Sequence, residues 1–152
     1  MIDKGVKIMY LITIFIIFVD QLIKNIISNK MNFNQSIPII KDIFHLTYIQ
    51  NSGAGFGILP GFKNFFIIIT ICITIIIIIY RYKKEKNMLL DFAAGFILGG
   101  AAGNLIDRIR LGYVIDYLDF RIWPVFNLAD SSVVLGVGLL IIYIWKYEES
   151  LE

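Results

Sequence analysis

The sequence predicts an α-helical integral membrane protein: four transmembrane helices with a small outward-facing β-sheet and loop region. Three observations carry that expectation. Hydrophobic residues fill 58% of the 152 positions and mean hydropathy is +0.76, an apolar share beyond that of a water-soluble domain. Four apolar stretches each approach the length of about 20 residues that crosses about 30 Å of hydrocarbon as a helix. One short loop, Arg81-Tyr82-Lys83-Lys84-Glu85-Lys86, holds the densest basic cluster of the chain, the kind of feature that sets membrane topology.

The first span, about 6–27, follows Lys4 and Lys7 and so begins like a signal peptide. No small-residue cleavage site follows it. The chain reads Asp20-Gln21-Leu22-Ile23-Lys24 and resumes with Ile26 and Ile27, which predicts an uncleaved first helix. The second span, about 65–80, contains Cys72 and the isoleucine run Ile75–Ile79. In water those isoleucines would favour a strand, but a lone strand in lipid strands its amides, so the span is helical. The third span, about 88–106, carries Gly95, Gly99 and Gly103 at four-residue spacing beside Ala94, Gly100, Ala101 and Ala102, a face on which another helix can approach closely. The fourth runs from about 128 to 145.

The positive-inside rule places the loop 81–86 in the cytoplasm, and with it both termini. The two remaining connections, about 28–64 and 107–127, then face outward. In the first, the alternation Ile43-Phe44-His45-Leu46-Thr47-Tyr48-Ile49 predicts short strands. Its glycine-rich end, Asn51 to Phe62, has the composition of a bending lid, with Phe56 and Phe62 available to cover an apolar ligand.

Ionisable groups in a span cost about 2.5–3.5 kcal/mol each on insertion scales and need a reason. Asp20 and Lys24 stand four apart on one helix face and can pair near the outer boundary. A denser set lies where the third span ends, in Asn104, Asp107, Arg108, Arg110, Asp116 and Asp119, and another opens the fourth span in Asn127-Leu128-Ala129-Asp130. Asn127 and Asp130, three apart, project from one helical face. Two carboxylates at an apolar boundary share one proton, and such a pair activates water against a peptide carbonyl. Spacing leaves open which of Asp107, Asp116, Asp119 and Asp130 form it, since each can instead pair with Arg108, Arg110 or Arg121. For Arg108, pairing with Asp107 is the favoured expectation over binding substrate carbonyls.

Other chemistries find less support. A net charge of +2 with no basic stripe argues against nucleic acid. One cysteine and one histidine allow no intrachain disulfide, no zinc set and no nucleophile–histidine pair on the outer side. No metal or organic cofactor is implied. A transporter or proton relay would need ionisable groups reaching the inner side, and Ile8–Val19 and Ile67–Ile79 offer none. A purely structural subunit leaves the aspartates unexplained, and the Gly-x-Gly-Asp signature of presenilin-type proteases is absent.

These residues carry a resemblance over nearly the whole chain. Asp20-Gln21 with Lys24, Asn51-Ser52-Gly53-Ala54-Gly55-Phe56-Gly57, Gly99-Gly100-Ala101-Ala102-Gly103-Asn104-Leu105-Ile106-Asp107-Arg108, Val114-Ile115-Asp116-Tyr117 and Phe126-Asn127-Leu128-Ala129-Asp130-Ser131 together resemble the lipoprotein signal peptidases, or signal peptidase II, a family of bacterial membrane aspartic proteases. The resemblance implies that Asp116 and Asp130 are the catalytic dyad. It implies that Asp20, Lys24, Asn51, Gly53, Gly100, Asn104, Asp107, Arg108 and Asn127 bind substrate or support the site. Gly55 departs from the alanine usual there. The implied substrate is a diacylglyceryl-modified prolipoprotein, cut on the amino side of its lipidated cysteine. The implied location is the bacterial cytoplasmic (inner) membrane, as a multi-pass protein with its active site near the outer face. Membrane lipids are the remaining partners, the whole of 1–152 is one membrane peptidase domain, and a monomer suffices.

Overall fold

A computed structural model describes residues 4–53 and 61–147. Its elements run α1 (Lys4–Lys30), β1 (Ser36–Ile40), β2 (Phe44–Asn51), α2 (Lys63–Lys83), α3 (Met88–Arg110), β3 (Val114–Asp119) and α4 (Leu128–Tyr147). All four helices are long and apolar enough to cross a membrane. Their surfaces fit lipid rather than water: Leu11, Ile14, Phe15 and Phe18, on one face of α1, are each more than 60% exposed, a feature water-soluble monomers rarely present. Cys72 is exposed on α2, among the exposed isoleucines of that span.

α3 is the central helix, packed against α1, α2 and α4. Asn87 starts it, its side chain accepting from the backbone N–H of Leu89 and Leu90 at 2.9 and 3.3 Å, as a good N-cap does. The expected small-residue face is used against two neighbours. Gly95 and Gly99 lie under Ile12 and Ile16 of α1, while Gly100 meets the backbone of Ala129 in α4. A methyl group at Gly100 would sit 2.2 Å from the Ala129 carbonyl oxygen, so the crossing requires glycine.

Two boundaries differ from the sequence reading. α2 continues to Lys83, so Arg81, Tyr82 and Lys83 belong to the helix and not to the loop that follows it. α3 continues to Arg110, which puts Asp107 and Arg108 in its last turn instead of the following connection. The connections at 28–64 and 107–127 also share one sheet. β2 pairs antiparallel with β1, and with β3 from the second connection, in the order β1-β2-β3. Asp116 stands opposite Ile49 and Val114 opposite Asn51. The end of α1 docks on this sheet through Ile27 and Met31, which join Tyr48, Ile115 and Tyr117 in one buried cluster. That docking ties the sheet to the bundle where the polar residues gather.

At the opposite end, Arg81 and Asp91 join α2 to α3 through a buried ion pair. Within the proposed lid, residues 54–60 lie outside the described residues.

Candidate active site

Asn127 precedes α4 and organises its first turn. Its side-chain oxygen accepts from the backbone N–H of Asp130 at 2.8 Å, and the Asp130 carboxylate accepts from the backbone N–H of Asn127 at 3.2 Å. That is the reciprocal pattern of a capping box, with the acid three residues on. The two therefore meet across the helix start, with Asn127 as the cap rather than as a helical face-mate.

The other end of Asn127 reaches β3. Its Nδ2 donates to Asp116 Oδ1 at 2.7 Å, while Asn51, at the end of β2, donates to Asp116 Oδ2 at 2.8 Å. Asp116 is 2% exposed. Burial, then the negative charge of Asp130, push its pKa from 3.8 up to about 7, against the lowering by the Asn51 and Asn127 hydrogen bonds. Asp130 has its own amide, Asn104 Nδ2, donating to Oδ1 at 2.7 Å. Asn127 thus touches both carboxylates, Asp116 through its side-chain amide and Asp130 through its backbone N–H, and both carboxylates line one cavity.

That cavity, about 500 Å³, has two characters. Asn51, Asn104, Arg108, Asp116 and Asp130 form its polar end, and Thr70, Ile73, Ile97, Ala101, Val133 and Val134 line the space between α2, α3 and α4. A neighbouring cavity of about 390 Å³ shares Asn51 and Asp116 and runs past Ser52, Gly53, Pro124 and Val125. A peptide carbonyl at Asp116 and Asp130 can therefore have an apolar chain on one side and polypeptide on the other.

The remaining candidates fall into two other groups. Lys24 is 1% exposed and pairs with Asp20 and Asp107, each at 2.9 Å. Asp20 also accepts from the backbone N–H of Ala129 at 3.1 Å, fixing the start of α4, and Asp107 accepts from Ile115 N–H at 3.1 Å, fixing β3. The pairing of Asp107 with Arg108 does not form. Neighbours on a helix point about 100° apart, so Asp107 turns to Lys24 while Arg108 donates to the Gly53 carbonyl at 3.3 Å and lies 5.3 Å from the centre of the Phe66 ring. Asp119 takes the structural role, accepting from Thr47 at 2.6 Å and pairing with Arg121 at 3.1 Å. Of the four aspartates left open by spacing, Asp116 and Asp130 are the two on the cavity.

Sequence reasoning missed Gln21, whose amide donates to Asp107 at 2.9 Å and to the Gly103 carbonyl at 3.2 Å. A glutamine between two pairing residues in a span was the available signal. Among the described residues, no group of three or more histidine, cysteine or acidic residues is placed to hold a metal ion.

Comparison with known proteins gives one picture. The model of the family described as signal peptidase (SPase) II matches residues 12–146. The lipoprotein signal peptidase of Halothermothrix orenii is 56% identical over 140 residues, 92% of this chain and 97% of that protein. The lipoprotein signal peptidase of Moorella thermoacetica is 47% identical over 131 residues, 86% of this chain and 87% of its own. A solved bacterial membrane enzyme superposes with a TM-score of 0.86 at 37% identity, covering 95% of this chain and 91% of that one.

Proposed function

The chain belongs to the signal peptidase II family, and we propose from that premise that it cuts diacylglyceryl-modified prolipoproteins on the amino side of the lipidated cysteine, with Asp116 and Asp130 as its dyad. The observation that carries this reading is the cavity that joins the two carboxylates to an apolar space between three helices. A lipidated peptide enters from the bilayer, its acyl chains against Ile73, Ile97 and Val134, and its scissile carbonyl reaches the aspartates.

The pair shares one proton. Asp116, with its pKa pushed up to about 7 by burial and by Asp130, holds it, and Asp130 serves as the base. Asp130 takes a proton from water as the oxygen attacks the carbonyl carbon, while Asp116 donates to the developing oxyanion. The tetrahedral gem-diol then collapses as Asp130 returns its proton to the amide nitrogen and Asp116 takes back the proton of one hydroxyl, which restores the dyad. The C–N bond breaks, freeing the signal peptide's carboxyl end and the amino group of the lipidated cysteine. Asn51 and Asn127 hold Asp116 in place, and Asn104 holds Asp130.

The whole chain acts as one peptidase domain in the bacterial inner membrane. The basic loop between α2 and α3 sets the orientation: it and both termini lie in the cytoplasm, and the site lies near the outer face. A single bundle supplies every residue named, so a monomer suffices.

The test is cleavage of a diacylglyceryl-modified prolipoprotein by purified protein, with Asp116→Asn and Asp130→Asn alongside. Each substitution keeps shape and removes acid–base capacity. Cutting before the lipidated cysteine by the wild type, and at least about 1,000-fold slower turnover by both folded variants, is the expected result. Wild-type rates in either variant would sink the dyad.

A further inference from the structure

We propose that Lys24, which touches neither aspartate of the dyad, is a positioning residue that orients the Asn104 amide toward Asp130. The inference rests on the reading of Asp130 as a dyad member.

An asparagine amide can face its surroundings either way round, and its two ends have opposite hydrogen-bonding roles. Here the choice is forced. Asn104 Oδ1 accepts from Lys24 Nζ at 3.0 Å and from Asn127 Nδ2 at 3.1 Å, and Nδ2 donates to Asp130 Oδ1 at 2.7 Å. The ammonium has three protons and no acceptor. Turning the amide over would aim its N–H groups at that ammonium and its oxygen at the Asp130 carboxylate, two repulsive contacts in place of two favourable ones. Asn127 alone could not impose the orientation, because its amide also serves Asp116 and the Ile115 carbonyl.

The ammonium is itself immobile. Its three protons are used by Asn104 and by the carboxylates of Asp20 and Asp107, and Asp20 is fully buried. Two carboxylates therefore hold a cation whose third contact fixes the donor to Asp130. Arg108 of α3 and Asp116 of β3 also face Asp130 electrostatically, and neither touches Asn104 in a way that would set its amide.

The experiment is steady-state cleavage of a diacylglyceryl-modified prolipoprotein by wild type, Lys24→Met, Asn104→Ala, the Lys24→Met/Asn104→Ala double variant and Asp130→Asn, each checked for folding by thermal unfolding. If Lys24 acts through Asn104, Lys24→Met lowers kcat by about 10–100-fold with KM within about twofold, and changes kcat by less than about twofold once Asn104 is alanine. Should Lys24→Met unfold, Lys24→Met/Asp107→Asn keeps the net charge of the cluster and takes its place. A Lys24 effect that persists undiminished in the Asn104→Ala background, or that falls on KM alone, overturns the positioning role while an inactive Asp130→Asn leaves the dyad standing. An active Asp130→Asn overturns the dyad first and this inference with it.

Discussion

Asn127 and Asp130 cap one another across the start of α4, with the side chain of each accepting from the backbone N–H of the other. The amide of the same asparagine donates to Asp116, Asn104 and the Ile115 carbonyl, so its capping oxygen and its amide do two separable things. Asn127→Ser keeps a capping oxygen and loses the amide, and Asn127→Ala loses both. The serine variant is expected to lose about 1–3 kcal/mol through the buried acceptors its missing amide leaves behind, and the alanine variant about 1 kcal/mol more through the lost cap. Both should turn over at least about 10-fold more slowly. A serine variant with full activity would show that the amide's contacts, the one to Asp116 among them, are dispensable.

Asp116 gives a pH prediction whose sign follows from its surroundings. Its pKa in the fold, about 7, lies above the value of the unfolded chain. The neutral carboxyl is thus the form the fold accepts, and its ionisation costs stability progressively from about pH 4 to about pH 7, on the order of 4 kcal/mol at most. Asp116→Asn removes that cost. It should melt higher than wild type at pH 8 and close to wild type at pH 4, and wild-type turnover should fall as pH rises through about 7. Equal melting at both pH values would place the proton elsewhere.

The α3–α4 crossing predicts a contrast between two glycines. At Gly100 a methyl group meets the Ala129 carbonyl oxygen at 2.2 Å, and at Gly138 nothing lies within 4 Å. Gly100→Ala must push α4 away next to Asp130, and turnover should drop at least about 100-fold. Gly138→Ala is expected to leave turnover unchanged and to stabilise its helix by up to about 1 kcal/mol. Normal cleavage by Gly100→Ala would mean the crossing can open without disturbing the site.

The helices were legible because lipid imposes one rule on backbone and side chain together: the spans had to be helical and apolar, and α1 to α4 are both. Strand β3 was less legible. Val114–Asp119 has strand-forming residues, but its partner β2 lies more than 60 residues earlier, and pairing across that distance leaves no local trace. The ion pairs divided the same way. Asp20 with Lys24 is a local, four-residue relationship and was visible. Lys24 with Asp107 joins two helices, so adjacency in sequence pointed instead to Arg108, which helix geometry turns elsewhere. Choosing Asp116 and Asp130 from four aspartates needed family resemblance at the sequence level, because only tertiary structure shows which carboxylates border the cavity.

The Arg81–Asp91 pair supplies a prediction at the other end of the bundle. Both residues are buried, and neither Arg81 Nη2 nor Asp91 Oδ2 has a partner among the described residues. Removing one member leaves a buried charge uncompensated, which costs about 3–5 kcal/mol, whereas replacing both by apolar residues of similar volume is often neutral or better. Asp91→Ala should therefore lower the melting temperature by about 10 °C, and Arg81→Met/Asp91→Leu should restore it. Asp91 stands in the first turn of α3 and Asp107 in its last, roughly 24 Å apart by helix rise, so the folded double variant should cleave substrate at the wild-type rate. If Asp91→Ala melts with wild type, the pair contributes little to joining α2 and α3. If the double variant is folded but inactive, this end of α3 is coupled to the site in a way the bundle's packing does not suggest.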